Sequence, residues 1–90
     1  MTDSRPRRRP NLRGEAIGDD YIILDRDGER VHQLNETAGF VWTLIDGERR
    51  VDEIVDALCE AYDVSRERAH RDVNDVIESF IAAGLLDTGD

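Results

Sequence analysis

The chain has 90 residues and a mass of 10.2 kDa, which fits one small domain. Its 21 acidic residues outnumber its 12 basic ones, and the resulting formal net charge of -9 disfavours nucleic acid as the main partner. Because no apolar run approaches the roughly 18 residues of a membrane-spanning helix and no signal-peptide pattern opens the chain, we expect a cytoplasmic protein without membrane contact.

The first predicted segment is an Arg/Pro-rich tail over residues 1–13. It holds both prolines and five of the arginines, with Asp3 as its only acidic residue, and it offers almost nothing to bury. This composition is typical of a disordered, solubilising arm, so we place the folded domain at residues 14–90. The alternative is an arm that contacts an acidic partner or folds back on the acidic body.

A small antiparallel sheet is predicted next. Residues 21–24 are apolar and favour a strand, Asp27-Gly28 is a turn signal, and residues 29–34 form a more polar second strand. Residues 15–18 are compatible with a short leading strand. The sheet is therefore expected to be either a two-stranded hairpin or a three-stranded antiparallel sheet.

Three helices are predicted after the sheet, because apolar residues recur at helical spacing in three successive segments. Asn35 and Ser65 are suited to cap the first and third helices, and Gly47 and Gly84 to end them. The apolar stripes consist of Ala38, Val41, Trp42 and Ile45; of Val51, Ile54, Val55, Leu58, Cys59 and Tyr62; and of Ala69, Val73, Val76, Ile77, Phe80 and Ile81. The order of elements predicts an α+β domain of the winged-helix kind.

The sequence contains no pattern typical of catalysis or metal binding. His32 and His70 lie far apart, without the neighbouring Cys or His residues that a zinc site requires. Cys59 lies on an apolar stripe, which favours a structural thiol over a nucleophile. No Gly-rich phosphate loop, Gly-x-Ser-x-Gly elbow or Cys-x-x-Cys pair occurs. We therefore expect a binding protein that is not an enzyme and carries neither metal nor cofactor.

The strand over residues 29–34 is the candidate binding element. It is polar, contains no proline and ends the predicted sheet in chain order. An open sheet edge presents unpaired N–H and C=O groups, onto which a peptide can add as another strand. A neighbouring helix can then supply the pocket that makes such binding selective.

Residues 34–47 resemble the hallmark of the PqqD-like family, in which a Leu-Asn step leads into a short helix with Ala and Trp and then Asp-Gly. The resemblance covers about residues 16–87. It continues through Val51-Asp52-Glu53-Ile54-Val55, Leu58, Tyr62-Asp63-Val64, Asp72-Val73, Phe80-Ile81 and Gly84-Leu85-Leu86. The chain departs from the family pattern at Arg49-Arg50, where the family often has a Ser or Thr that caps the second helix. Asp52 is expected to cap that helix instead.

The resemblance implies a RiPP recognition element, a winged-helix-like domain with three strands and three helices. Such domains bind the leader of a ribosomally made precursor peptide as a strand between their third strand and third helix. They present the peptide to a modifying enzyme, here expected in trans: a radical-SAM enzyme, a leader peptidase or a cyclodehydratase, in pathways such as PQQ or lasso-peptide biosynthesis. Carried onto this chain, the resemblance implies a docking strand of Arg30, Val31, His32, Gln33 and Leu34 and a helix rim of Arg68, Arg71, Asp72, Asp75, Val76 and Ser79.

Two other functions and the oligomeric state stay open at this point. A DNA-binding winged helix is favoured by the helix order and the arginine-rich tail, but residues 66–83 hold more acids than bases. An acidic carrier protein requires an Asp-Ser-Leu step, which Asp63-Val64-Ser65 does not supply. Because an edge that accepts a peptide can also accept a second copy, the sequence leaves open whether the protein is a monomer or a homodimer.

Overall fold

The computed structural model describes residues 5–26 and 29–87, which form five strands and three helices. The elements in chain order are β1 (Arg7–Arg8), β2 (Leu12–Ile17), β3 (Asp20–Asp25), β4 (Arg30–Leu34), α1 (Glu36–Leu44), α2 (Val51–Tyr62), α3 (Arg66–Ala82) and β5 (Leu86–Asp87). This arrangement confirms the predicted α+β, winged-helix-like class, and the main sheet has three strands rather than two. Within the described ranges, no helix is long and apolar enough to cross a membrane.

The main sheet is antiparallel with the strand order β2-β3-β4, and β3 is its centre. Ile23 of β3 is fully buried beneath the helices. The Tyr21 ring lies between Gly14 of β2 and Gly39 of α1: a Cβ at Gly14 would come within 2.8 Å of the ring, and one at Gly39 within 3.0 Å of the Tyr21 Cβ. These two glycines therefore let β2 and α1 approach β3 closely.

The core lies between this sheet and the helices. Trp42 of α1 and Phe80 of α3 meet edge to face, with 5.3 Å between their ring centroids, and both are nearly inaccessible to solvent. The predicted apolar stripes contribute most of the core, with Cys59, Val76 and Ile77 half-buried against it. Ile81 is the exception, because it lies about 100° around the helix axis from Phe80 and remains 45% exposed.

Residues 5–13 differ from the predicted disordered tail. Arg7 and Arg8 pair with Asp87 and Leu86 in a second, two-stranded sheet, and β2 begins at Leu12. The described part of the arm thus folds back on the body, which is the alternative that the sequence left open. Residues 1–4, the rest of the predicted tail, lie outside the described residues, as does the predicted turn at Asp27-Gly28.

Arginine and backbone contacts hold this arm in place. The Arg8 guanidinium lies 4.7 Å from the centroid of the Trp42 ring and donates to the Trp42 carbonyl. Pro6 is buried, and its carbonyl accepts from the Gly47 N–H at 3.0 Å. Composition predicts a segment without contacts to the body, but Arg8, although exposed, stacks its guanidinium on an aromatic ring of the core.

The helix caps agree with the sequence at α1 and α3. The Asn35 side chain accepts from the Ala38 N–H at 2.8 Å, and the Ser65 hydroxyl accepts from the Arg68 N–H at 3.2 Å. Both predicted N-caps are confirmed. The glycine predicted to end α3, Gly84, has a φ of +76°, which favours glycine.

The expected cap of α2 by Asp52 is wrong. The helix begins at Val51 with Arg50 at the N-cap position, and the Glu53 carboxylate accepts from the Arg50 N–H at 2.9 Å. This hydrogen bond lowers the pKa of Glu53. Asp46 instead organises the preceding loop, and hydrogen bonds from the backbone N–H groups of Arg49 and Glu48 lower the pKa of its carboxyl.

Candidate functional site

The β4 strand is an edge of the main sheet. It pairs with β3 along its whole length, from Asp25↔Arg30 to Tyr21↔Leu34. In the part of the chain that the structure describes, no strand pairs with its other side. The predicted open edge is therefore present.

The turn between β2 and β3 determines which β3 groups face β4. Gly18 and Asp19 form a two-residue turn with Gly18 at a φ of +62°, so the flanking pair Ile17↔Asp20 is hydrogen-bonded. Hydrogen-bonded and non-bonded pairs alternate along an antiparallel ladder. Because each strand residue directs its N–H and C=O to one side, the alternate residues Tyr21, Ile23 and Asp25 bond to β4.

The same alternation identifies the free groups of β4. Arg30, His32 and Leu34 are the register partners of those β3 residues, and they hydrogen-bond inward. Val31 and Gln33 therefore direct their N–H and C=O groups to the vacant side. These backbone groups are the ones that an added strand would engage.

The side chains of β4 alternate between the two faces of the sheet. His32 lies opposite buried Ile23, and Leu34 is 8% exposed, so both face the helices. His32 Nε2 is buried without a hydrogen-bond partner among the described residues. Val31, with 65% of its surface exposed, lies on the outer face together with Gln33.

Helix α3 has one flank against α2, and the opposite flank faces away from α2. The Arg66 guanidinium pairs with the Asp56 carboxylate of α2, which identifies the first flank. At 100° per residue, the opposite flank carries Asp72, Val76 and Ser79. It continues to Ala83, which lines a cavity together with Arg30 of β4.

The predicted rim residues therefore divide into two sets. Asp72, Val76 and Ser79 share the flank that faces away from α2, with Arg68 and Asp75 at its solvent border. Arg71 lies about 140° from Val76 around the axis and points away from this flank. Their part in binding stays a prediction.

Both arginines of the predicted rim already have acidic neighbours on α3. Arg68 Nε lies 3.8 Å from the Asp72 carboxylate, and an Arg71 amino group lies 3.8 Å from Glu67. These exposed pairs one helical turn apart lower the charge that α3 offers to an acidic ligand. A count of the charges on α3 does not reveal this pairing, whereas the spacing of four residues signals it.

A cavity of about 330 Å³ lies where the end of α3 meets the sheet. Leu12, Asp25 and Arg30 form one row across the three strands at its floor. Arg9, Pro10, Ala83 and Gly84 complete the lining. Sequence reasoning identified Arg30 but missed Arg9, because it placed that residue in the tail.

No group of three or more His, Cys, Asp or Glu side chains suited to a metal ion occurs among residues 5–26 and 29–87. The free thiol, Cys59, is half-buried on α2.

Comparison with known proteins identifies a family and a relative of this chain. The family model of Coenzyme PQQ synthesis protein D (PqqD) matches residues 20–86. A PqqA binding protein of Methylococcus capsulatus is 36% identical over 66 residues, which span 73% of this chain and 67% of that protein.

Solved structures share the fold. TbiB1 in complex with the TbiA(β) leader peptide superposes with a TM-score of 0.82 at 25% identity, covering 93% of this chain and 98% of that one. The PqqD truncation of Methylobacterium extorquens PqqCD, a stand-alone RiPP recognition element, gives a TM-score of 0.81 at 20% identity, covering 97% and 93%. The latter likeness is one of fold.

Proposed function

The chain belongs to the PqqD family, and on that premise we propose that it binds the leader of a ribosomally synthesised precursor peptide. The observation that carries this proposal is the vacant side of β4, where Val31 and Gln33 present free backbone groups. A leader in extended conformation adds there as a fourth strand. Main-chain pairing supplies affinity, and the leader side chains that face the helices supply selectivity.

The relatives support a peptide ligand. One is named for binding PqqA, and another was solved with a leader peptide bound. In the proposed complex, alternate leader residues lie beside Arg30, His32 and Leu34 and face the helices, because cross-strand neighbours share a face. The residues between them lie on the outer face with Val31 and Gln33.

The protein acts without catalysing a reaction itself. It holds the leader while a separate enzyme modifies the rest of the precursor, and the enzyme is a radical-SAM enzyme, a leader peptidase or a cyclodehydratase. The bound state is a one-to-one complex with the leader. Without a bound leader, the same edge of β4 is available for pairing between two copies of the protein, so the free protein is a monomer or a homodimer.

The charges of α3 disfavour the DNA-binding alternative. Each of its three arginines pairs with a carboxylate: Arg66 with Asp56, Arg68 with Asp72 and Arg71 with Glu67. A helix that docks on phosphates requires basic side chains available for them. Binding to random duplex at low salt is expected to be undetectable, whereas a DNA-binding protein would show clear nonspecific affinity there.

An NMR titration tests the main proposal. Precursor peptides encoded beside this gene are added to the isotope-labelled chain, and amide hydrogen exchange is followed at each β4 residue. The N–H groups of Val31 and Gln33 should become protected on binding, while those of His32 and Leu34, already bonded to β3, change little. If none of these peptides shifts β4 or α3 signals, the proposed function is wrong.

A further inference from the structure

We propose that the cavity at the end of α3 is a subsite that selects an acidic side chain of the bound peptide, and that Arg9 and Arg30 form it. This inference rests on the proposed function and adds a specificity to it. The ligand chemistry is a single Asp or Glu carboxylate on an extended peptide strand.

The position of Arg30 places this subsite within reach of an added strand. Arg30 belongs to the helix-facing set of β4, and it lines the cavity at the end of α3. A peptide residue in register with Arg30 has its Cβ roughly 4.5–5.5 Å from the Arg30 Cβ, on the same face. Its side chain therefore lies beside the guanidinium and at the cavity.

The N-terminal arm brings the second arginine to the same cavity. The Arg9 N–H donates to the Leu85 carbonyl at 3.0 Å, and the preceding residue, Arg8, pairs with Leu86 of β5. These bonds fix the backbone of Arg9 beside the segment that follows α3. The volume of about 330 Å³ far exceeds the roughly 30 Å³ share of one water molecule, so a carboxylate side chain has room.

The charges at the cavity differ in sign from those of the whole chain. Two arginines and one acidic residue, Asp25, line the cavity, within a protein of net charge -9. Among the described residues, none of the ion pairs involves Arg9 or Arg30. Guanidinium groups bind carboxylates through paired, charge-assisted hydrogen bonds.

A purely structural role for these arginines makes a different prediction. The C-terminal end of α3 carries partial negative charge, which nearby cations offset, and Ala83 and Gly84 of that end line the cavity. If the arginines serve only the helix end, their loss lowers thermal stability without changing which peptides bind. The two roles are thus separable by measuring stability and peptide preference together.

Selection from a display library of short random peptides tests the subsite. The full chain is compared with the R9Q/R30Q double variant and with R13Q, a control whose arginine lies on the outer face of the sheet, paired with Glu15. Wild type and R13Q should enrich peptides with Asp or Glu at one fixed position, and the double variant should lose that enrichment. Replacing the selected acid by its amide should weaken binding to wild type about ten-fold and leave binding to the double variant unchanged.

The outcomes separate the two proposals. Enriched peptides without an acidic preference, or with the same preference in wild type and double variant, overturn the subsite and leave the proposed function standing. A lowered melting temperature with an unchanged preference also overturns the subsite. No enrichment of any peptide on wild type refutes the proposed function and the subsite with it. If the double variant does not fold, R30Q replaces it in the peptide selection, and R30K is the matched control that keeps the positive charge.

Discussion

Replacing Val31 by proline should prevent leader binding while leaving the domain folded. The Val31 N–H points to the vacant side of β4, so proline removes no hydrogen bond of the β3–β4 ladder. Proline is tolerated on edge strands at such positions. The change also places the pyrrolidine ring where the leader backbone would pair.

The expected magnitude follows from one lost hydrogen bond and the steric effect of the ring. A net hydrogen bond contributes about 0.5–1.5 kcal/mol, which alone weakens binding up to roughly ten-fold. Because the ring also holds the peptide backbone away from its neighbours, we expect a loss of at least about ten-fold. The free energy of unfolding should change by less than about 1 kcal/mol, since Val31 is mostly exposed.

Two matched variants make the comparison specific. Val31→Ala removes the same side chain but keeps the N–H, so it should bind nearly as wild type. His32→Pro removes an N–H that bonds to β3, and it should destabilise the fold by about 1–3 kcal/mol. Binding is measured by fluorescence anisotropy with a labelled leader, and stability by chemical denaturation. If Val31→Pro binds as tightly as Val31→Ala, strand addition at this side of β4 is wrong.

Three further predictions concern the fold around the site. Gly39→Ala should destabilise the domain by about 1–3 kcal/mol in thermal melts, because its Cβ would crowd Tyr21; an unchanged melting temperature would contradict the close approach of α1 to β3. Arg8→Gln should cost about 0.5–2 kcal/mol of stability and redshift tryptophan emission, because the guanidinium no longer covers Trp42; an unaltered spectrum would argue against that contact. The lowered pKa of Asp46 means that its stabilising effect is present above its ordinary pKa and is lost as pH falls through the lower, folded-state pKa. Acid titrations should therefore show a steeper loss of stability below about pH 4 for wild type than for Asp46→Asn, and identical slopes would refute this.

The elements that the sequence predicts well are those specified by neighbouring residues. The caps at Asn35 and Ser65 and the buried stripes of the helices depend on spacings of three or four positions, and such short-range patterns are legible in the chain. The edge character of β4 follows from its place in chain order. The identity of its free backbone groups cannot be read from chain order, because the direction of each N–H and C=O depends on pairing with β3 and on the turn at Gly18.

The features that sequence reasoning missed depend on contacts between distant residues. Arg8 is fixed by Trp42, 34 positions away, and Arg9 by Leu85 at the other end of the chain. Composition gives no indication of either contact, and an arginine-rich segment is ordinarily solvated. The prediction that Asp52 caps α2 was wrong for a different reason. The Glu53 carboxylate accepts from the Arg50 N–H, so a residue with no capping side chain can occupy the N-cap position.

The pairing of β1 with β5 sets Arg7 opposite Asp87, so the two ends of the described chain emerge from the domain side by side. Such adjacent ends are common in compact domains and tolerate covalent attachment. A polypeptide joined ahead of β1 and one joined after β5 would start from the same corner of the surface. An enzyme fused to either end would thus start from the same side of the domain. The order of the two domains in such a fused chain would matter little for the position of the enzyme relative to a bound precursor.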